Sequence, residues 1–543
     1  MNRSDLLLAV LALLAGAFFM TSLSSLWPMV DADLVVDHDE IDRIARDELQ
    51  SAGFDVTGWS SAVSVGIDAR ILDYVQREEG RDAAQALART GYPVVNYTAR
   101  FKKRDVPTEY SVAIHPNGQL LRVWRTGPDD DPDESLPVET AMGMAREALR
   151  IVGTDPDEWD HRSTNTVERS ARVDHGFTFE RTVIPSMRLR ERAKVRVAGG
   201  RVDRVRRSLV LPGKAKRAAT AAQGPVRALE SVGFLLAAVF AIGAFLTFLR
   251  MLGDGKVRLR RAAILSFSIF VGMLGQNLMH SSDLFKAWEP LWSRSAATMS
   301  WVVTKITEDV WMTIVLLGVI GAADALDRDR PEGERRGRSL WLFLSGRWGR
   351  PEIALASARG FGIGLVCGGM LALTVALLTE LGAVVQLQPR AVFSHILNSV
   401  SPPATALILF LNAALIEEIG YRWFGGTWME SLTGRRWVAI VVPAVVFGLT
   451  HTSMPFLPPA EPFYGRAITM TVVGLVWAWA FFKYDALTVV LSHWVADLVV
   501  FNTPRLLSGD PVIVGVTVAT ILVPLLPVVV WLGLRLTGRG AAD

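Results

Sequence analysis

Three short motifs in the C-terminal half of the chain place carboxylates, imidazoles and a guanidinium within apolar sequence. They are Glu417-Glu418-x-x-x-Arg422, Phe447-x-x-x-His451 and His493-x-x-x-Asp497. Ionisable side chains inside a membrane segment cost a few kcal/mol each on insertion scales, and those that occur there usually serve a function. If the three motifs meet in one helical bundle, they form a polar cluster that could carry out acid/base chemistry within the membrane.

The first motif separates two neighbouring carboxylates. On a helix, Glu418 and Arg422 are four residues apart and share a face, so they can form an ion pair. Glu417 points about 100° away and is left without that partner. An unpaired carboxylate in a low-dielectric environment can serve as a general base. The alternative is an ordinary charged helix end, because the motif lies towards the cytoplasmic end of its predicted span at 403–424.

The other two motifs each place a histidine on a helical face. Phe447 and His451 share one face, and a lone histidine there is commonly a packing residue. His493 and Asp497 share another, where the carboxylate could fix the imidazole tautomer or stabilise its charged form. The predicted boundaries put His451 near the outer end of its span and Glu417 nearer the inner end of its own. Convergence therefore requires a tilted or displaced helix, or different boundaries.

The motifs belong to a chain in which apolar segments alternate with polar loops. Half of its 543 residues are apolar and 20% are charged. Because about 20 apolar residues span a bilayer, the sequence predicts a polytopic α-helical membrane protein with about ten transmembrane helices. These are predicted at 6–26, 228–252, 262–280, 301–326, 353–381, 403–424, 437–452, 467–482, 486–501 and 511–534.

Lysines and arginines concentrate in alternate loops, at 256–261, 328–350, 435–436, 483 and 535–539. Since cytoplasmic loops carry the excess of basic residues, both termini are predicted to be cytoplasmic, in the cell's inner or plasma membrane. The long segment between the first two spans is then extracytoplasmic.

This segment, at 30–227, is predicted to be an inserted extracytoplasmic α+β module of two tandem repeats, at about 38–130 and 137–212. Each repeat has a helical pattern, at 41–52 or 138–152, and a later strand–turn–strand pattern. The turns are predicted at Asn117-Gly118 and at Gly199-Gly200. No catalytic pattern occurs in the module, so we expect it to bind a ligand or a protein partner.

Composition narrows the classes of partner. The net charge of +3 is small, and the basic run at 188–217 alternates with apolar residues as a strand does, so no nucleic-acid partner is expected. The single cysteine, Cys367, allows neither an intramolecular disulfide nor a cysteine-based metal cluster.

In this order and in apolar helices, the three motifs resemble the CPBP family, which comprises CAAX prenyl endopeptidases and Ras-converting-enzyme-like or Abi proteins. The resemblance covers about residues 403–501. Hydropathy divides the rest of the chain into an anchor at 1–29, the module, accessory helices at 228–402, and a last helix with a tail at 503–543, and the resemblance identifies the protease core at 403–502. The resemblance implies an intramembrane endopeptidase that cleaves a membrane protein or a peptide.

The resemblance also implies a role for each motif residue. Glu417 and His451 would activate water for attack on a peptide bond, while His493 and Asp497 would stabilise the oxyanion or position the substrate. The supporting residues would be Glu418, Arg422 and Phe447. The family commonly has Asn at the last motif position. An ionised Asp497 would disfavour an oxyanion, so it could instead orient His493 or be protonated.

The cofactor and the class of function stay open at this point. His451 and His493 could bind Zn²⁺ with an open water position, although the compact His-Glu-x-x-His pattern is missing; no cofactor is required if the reaction depends on glutamate alone. A non-catalytic receptor or a bacteriocin-immunity-type protein would use the same cluster to hold a peptide. A transporter could use it as a proton relay, but the spans show no inverted repeat.

Overall fold

The structure, a computed structural model, describes residues 3–26, 37–288, 293–382, 396–452 and 462–537. It combines apolar helices with an antiparallel eight-stranded sheet. The prediction of a polytopic helical membrane protein is confirmed at this level. Residues 1–2 and 27–29 of the predicted anchor, 30–36 of the predicted module and 538–543 of the tail lie outside the described residues.

The sheet follows α1 (Arg3–Leu26) and has the strand order β1-β2-β3-β4-β8-β7-β6-β5. The strands are β1 (Ser60–Ile67), β2 (Val95–Lys102), β3 (Glu109–Ile114), β4 (Leu120–Thr126), β5 (Asp160–Glu168), β6 (Val173–Ile184), β7 (Leu189–Ala198) and β8 (Arg201–Val210). Two antiparallel meanders join where Val123 of β4 lies opposite Val205 of β8. Turns are present at both predicted positions, and Gly118 (φ 88°) and Gly199 (φ 59°) adopt the left-handed conformation that glycine tolerates best.

Helices pack on this sheet around a shared apolar core. They are α2 (His38–Ser51), α3 (Ala69–Glu79), α4 (Arg81–Arg89) and α5 (Val138–Glu147). Each meander is thus preceded by a helix, α2 or α5, and the first meander also carries α3 and α4 between β1 and β2. The basic run forms β7 and β8. In β7, basic residues alternate with buried residues as in a sheet with one solvated face. In β8, the buried positions are Asp203, Val205 and Arg207, and Arg207 pairs with the buried Glu191 of β7.

The helical region supplies the remaining elements. They are α6 (Gly213–Gly253), α7 (Leu259–Leu278), α8 (Ser281–Ala287), α9 (Arg294–Arg328), α10 (Arg338–Leu344), α11 (Pro351–Glu380), α12 (Pro402–Glu417), α13 (Thr427–Thr433), α14 (Arg436–Thr450), α15 (Gly465–Lys483), α16 (Ala486–Phe501), α17 (Thr503–Leu506), α18 (Pro511–Leu522) and α19 (Leu526–Leu536). Within the described ranges, eight helices are long and apolar enough to cross a membrane.

The ten predicted spans all fall on apolar helices, but two of these helices are short. α14 has 15 residues and α16 has 16, which corresponds to about 22–24 Å at 1.5 Å per residue. This is less than the hydrocarbon thickness of about 30 Å. Both short helices carry or adjoin site histidines, so the site is built on helices that do not cross the full bilayer as straight rods.

The helix that carries the first motif extends further than predicted. A nine-residue π-helical segment, Glu418–Gly426, joins α12 to α13, and the whole helix spans 32 residues from Pro402 to Thr433. Glu417 therefore lies at the middle of its helix, and the predicted position towards the cytoplasmic end is wrong. The predicted span ended too early because the sequence after Phe424 contains glycine and polar residues.

Close packing on α11 fixes the position of α16. A Cβ at Gly364 would lie 2.6 Å from the Val495 Cβ, and a Cβ at Gly360 would lie 2.8 Å from the Leu491 Cβ. Glycines spaced four residues apart let two helix backbones approach closely, as at other small-residue helix contacts. Gly360 and Gly364 together form the face of α11 that contacts α16.

The module packs against the helical region. Lys102 of β2 donates to the backbone carbonyl of Trp288 at 2.7 Å, just after α8. The backbone N–H of Val65 in the edge strand β1 donates to the Asn398 side chain at 2.7 Å, shortly before α12 begins. Leu397 is buried within the module's apolar core. The module therefore covers the end of the bundle at which α12 begins.

Candidate active site

The four residues predicted to be catalytic lie together in the helical bundle. A Glu417 carboxylate oxygen lies 3.7 Å from His451 Nε2, and its other oxygen lies 3.8 Å from His493 Nε2. Asp497 Oδ2 lies 3.4 Å from the same His493 nitrogen. The side chains come from the end of α12, the residue after α14, and two turns of α16. The convergence that the sequence made uncertain is therefore present.

Glu418 holds the supporting side of the cluster. Its Oε1 accepts from Arg422 Nη1 at 2.9 Å and from His493 Nδ1 at 2.7 Å. The Glu418 and Arg422 side chains are 1% and 0% exposed, so the ion pair is buried. The predicted pairing of these two residues is present. The close contact to His493 was not predicted, and it is shorter than the contact that His493 makes with Asp497.

His493 lies between the two neighbouring glutamates. Nδ1 faces Glu418, while Nε2 faces Glu417 and Asp497. Because adjacent helical residues point about 100° apart, the two carboxylates reach the same imidazole from different sides. Glu418 accepts a hydrogen bond from Nδ1, whereas the carboxylates of Glu417 and Asp497 approach Nε2 at 3.8 and 3.4 Å.

The second motif sets the orientation of His451. Its Nδ1 donates to the Phe447 carbonyl at 2.7 Å, one helical turn earlier. This carbonyl is at the end of α14, where backbone oxygens lack partners within the helix. A hydrogen bond at Nδ1 fixes the tautomer and leaves the Nε2 lone pair directed towards Glu417 in the neutral ring. The Phe447 ring also packs on the imidazole, with 4.2 Å between ring centroids.

Aromatic residues form a wall beside the charged groups. Trp477 of α15 stacks on His493 with 4.0 Å between ring centroids and 17° between planes. The Arg422 guanidinium lies 4.4 Å from the Phe447 ring centroid, within the range of a cation–π contact. The sequence did not identify Trp477 as a site residue, because an apolar span that also contains Trp479 gives no signal to distinguish it from a packing residue.

A hydroxyl pair lies beside His451. The Tyr421 hydroxyl lies 3.0 Å from the hydroxyl of Thr450, which precedes His451 in the chain.

Glu417 Oε2 is buried and makes no hydrogen bond to any side chain or backbone group of the described residues. A carboxylate with an available acceptor, adjacent to an imidazole nitrogen, can take a proton from a polar molecule that enters the site.

Two of these side chains, His451 and His493, are the predicted metal ligands. Over the described ranges, no group of three or more His, Cys, Asp or Glu side chains has an arrangement that could hold a metal ion. His451 and His493 each commit Nδ1 to another partner and keep only Nε2 for a metal. A donated Nδ1–H with a free Nε2 is also the usual state of a metal-bound histidine, so Zn²⁺ binding by His451 and His493 stays a prediction.

A model of a known protein family matches this region. Residues 399–499 match the family model described as Type II CAAX prenyl endopeptidase Rce1-like. The match includes all three motifs and confirms the resemblance to the CPBP family over this part of the chain; the module lies outside it. Together with the apolar helices, it supports a multi-pass membrane protein of protease type. Searches of curated proteins and of solved structures gave no match.

Proposed function

We propose that this protein is an intramembrane endopeptidase in which Glu417 and His451 activate a water molecule. The observation that carries the proposal is the Glu417 carboxylate, which lies between two imidazoles and keeps one buried oxygen without a hydrogen bond in the described part of the chain. The Rce1-like match over 399–499 supports the same reaction class.

In the proposed reaction, water hydrogen-bonds to Glu417 and to His451 Nε2. Glu417 takes a proton as the water oxygen forms its bond to the peptide carbonyl carbon, and the carbonyl oxygen becomes an oxyanion. The N–H group of His493 supplies a preorganised donor for that charge. Asp497 orients His493 or, in its protonated form, donates to the same oxygen. The carbon–nitrogen bond then breaks as the proton on Glu417 passes to the leaving amine.

The supporting residues keep this arrangement in place before substrate binds. Glu418 and Arg422 hold His493 through buried, charge-assisted hydrogen bonds, which are stronger than neutral ones. Phe447 and Trp477 pack on the two imidazoles and limit their rotation. Zn²⁺ is not needed in this mechanism.

We propose a membrane-associated or peptide substrate that reaches the site from within the bilayer or from the face opposite the module. The positive-inside pattern of the loops supports a cytoplasmic position for that face and for both termini, and an extracytoplasmic module of two repeated units in the inner or plasma membrane. The module covers the bundle at Asn398 and at Arg466, whose buried charge interacts with Asp73 of α3. This covering supports lateral entry.

Protein termini in membrane fractions test the proposal. Cells expressing wild type or Glu417→Gln at matched levels are compared. Glu380→Gln serves as the control, because it makes the same chemical change at the exposed end of α11. New termini with wild type and Glu380→Gln, but not with Glu417→Gln, are expected. Identical termini in all three, with folded and abundant protein, would refute the protease and favour a peptide-binding receptor.

A further inference from the structure

A cavity of about 640 Å³ lies at the face opposite the module, between the start of α7, the end of α9 and α10. It lies outside the cluster of motif residues. Six arginines line it: Arg258, Arg261, Arg328, Arg335, Arg338 and Arg347. The lining also includes three carboxylates, from Asp324, Asp327 and Glu332. The cavity therefore carries an excess of positive charge.

The three carboxylates offset half of the charge of the six arginines. Asp324 pairs with Arg328, with 3.0 Å between Oδ2 and Nε. The two oxygens of Asp327 accept from the backbone N–H groups of Arg336 and Gly337 at 2.8 and 2.9 Å. Within the described residues, the other five lining arginines form no salt bridge.

The arginines also act on one another. Partial burial and, after it, the charges of Arg328 and Arg261 lower the pKa of the Arg258 guanidinium. These like charges repel one another, although salt in water screens part of the repulsion. An anion placed among the guanidinium groups would relieve it. Planar guanidinium groups bind phosphate oxygens through pairs of parallel hydrogen bonds.

An apolar wall continues from the arginines onto the surface of the bundle. Leu265 and Trp341 line the cavity, and Ile264, one turn into α7, is 56% exposed. Leu344 at the end of α10 is 41% exposed. The cavity thus joins a polar mouth, at the level where the spanning helices end, to a side that faces lipid. A molecule with a charged head and an apolar tail matches both parts.

We propose that this cavity binds a phosphate anion, and that its apolar wall favours the phosphate of an anionic phospholipid headgroup over free phosphate. Basic pockets between membrane helices bind such headgroups by the same chemistry. The geometry also connects the site to the candidate active site, because Trp341 packs against Trp423 of the π-helical segment at 6.0 Å between ring centroids. Binding does not depend on the proposed peptidase activity, so it can be tested separately.

The test uses the full chain in nanodiscs of phosphatidylcholine with or without phosphatidylglycerol, and native mass spectrometry to count retained lipid. The variant removes three cavity charges: Arg258→Gln, Arg261→Gln and Arg338→Gln. Its matched control removes three arginines on the same face that do not line the cavity: Arg260→Gln, Arg435→Gln and Arg535→Gln. Phosphatidylglycerol retention should fall about fivefold for each cavity arginine removed and remain near wild type in the control.

Inorganic phosphate distinguishes the two sources of the anion. If phosphate alone raises the thermal stability of wild type but not of the cavity variant, and lipid retention is equal in both, the site binds free phosphate. Equal lipid retention by the cavity variant and the control, without a phosphate effect, would refute the site. If the triple variant does not fold, Arg338→Gln against Arg260→Gln gives the same comparison with one charge.

Discussion

Glu417 and Glu418 are neighbours in the chain, yet the structure predicts opposite consequences when each is changed to glutamine. Glu418→Gln removes the charge from two buried hydrogen bonds, at 2.9 Å to Arg422 and 2.7 Å to His493. Glu417→Gln removes no hydrogen bond to a described residue, because its nearest imidazole nitrogens lie 3.7 and 3.8 Å away. A contact at that distance is not a hydrogen bond.

The magnitudes follow from these contacts. In Glu418→Gln the amide oxygen can still accept from Arg422, which stays charged. The loss is the carboxylate charge, which leaves the buried Arg422 guanidinium uncompensated. The free energy of unfolding should therefore fall by about 3–5 kcal/mol, as for a buried ion pair that loses one partner. Glu417→Gln should change it by less than about 0.5 kcal/mol.

The assay is reversible unfolding in mixed detergent micelles, followed by tryptophan fluorescence. Glu380→Gln serves as the control for a glutamate outside the cluster. Under the proposed function, Glu417→Gln should abolish cleavage while it unfolds like wild type, and Glu418→Gln should be less stable. If Glu417→Gln is destabilised as strongly as Glu418→Gln, the division between a reactive and a supporting glutamate is wrong.

Three further predictions concern packing, docking and pH. Gly364→Leu should separate α11 from α16 and lower both stability and cleavage, whereas Gly515→Leu, where a Cβ meets nothing within 4 Å, should change neither. Lys102→Met removes the donor to the carbonyl after α8 and should accelerate hydrogen exchange over 281–288, with the exposed Lys103→Met as its control. Burial lowers the pKa of His115, so the folded module favours the neutral ring. The stability of the module should therefore fall as pH drops below about 6.5, the ordinary pKa of histidine. In urea unfolding of the full chain, His115→Gln should make stability depend less on pH.

Local contacts of the site could be predicted from sequence, and contacts between helices could not. The pairs Glu418 with Arg422, Phe447 with His451, and His493 with Asp497 are each four residues apart, so helical periodicity alone brings them together. Selecting Glu418 as the close partner of His493 requires the relative rotation of α12 and α16, which depends on side-chain packing along the whole interface. The π-helical segment was missed for a related reason, because no residue type specifies it.

The same division holds for the module. The hairpin turns follow from Asn-Gly and Gly-Gly, which tolerate positive φ, and the strands follow from the alternation of arginine with apolar residues. The pairing of β4 with β8 joins residues 80 to 84 positions apart. Its register depends on the fit of two already formed meanders, and neither meander's sequence specifies it alone.

The sequence prediction placed Glu417 and His451 at different depths in their spans. In the structure the two residues lie on the two arms of a helical hairpin, at similar distances from its turn. α12, the π-helical segment and α13 form one arm, α14 forms the other, and Gly434 (φ 65°) makes the turn between them. Glu417 lies 16 positions before the end of the first arm, and His451 lies 15 positions after the start of the second. The two arms thus place Glu417 and His451 at similar distances from the turn, and their side chains lie at the same level, 3.7 Å apart. The boundary predicted at Phe424 shortened one arm and created the conflict. A salt bridge between Glu430 and Arg436, at 3.0 Å, connects the two arms across the turn.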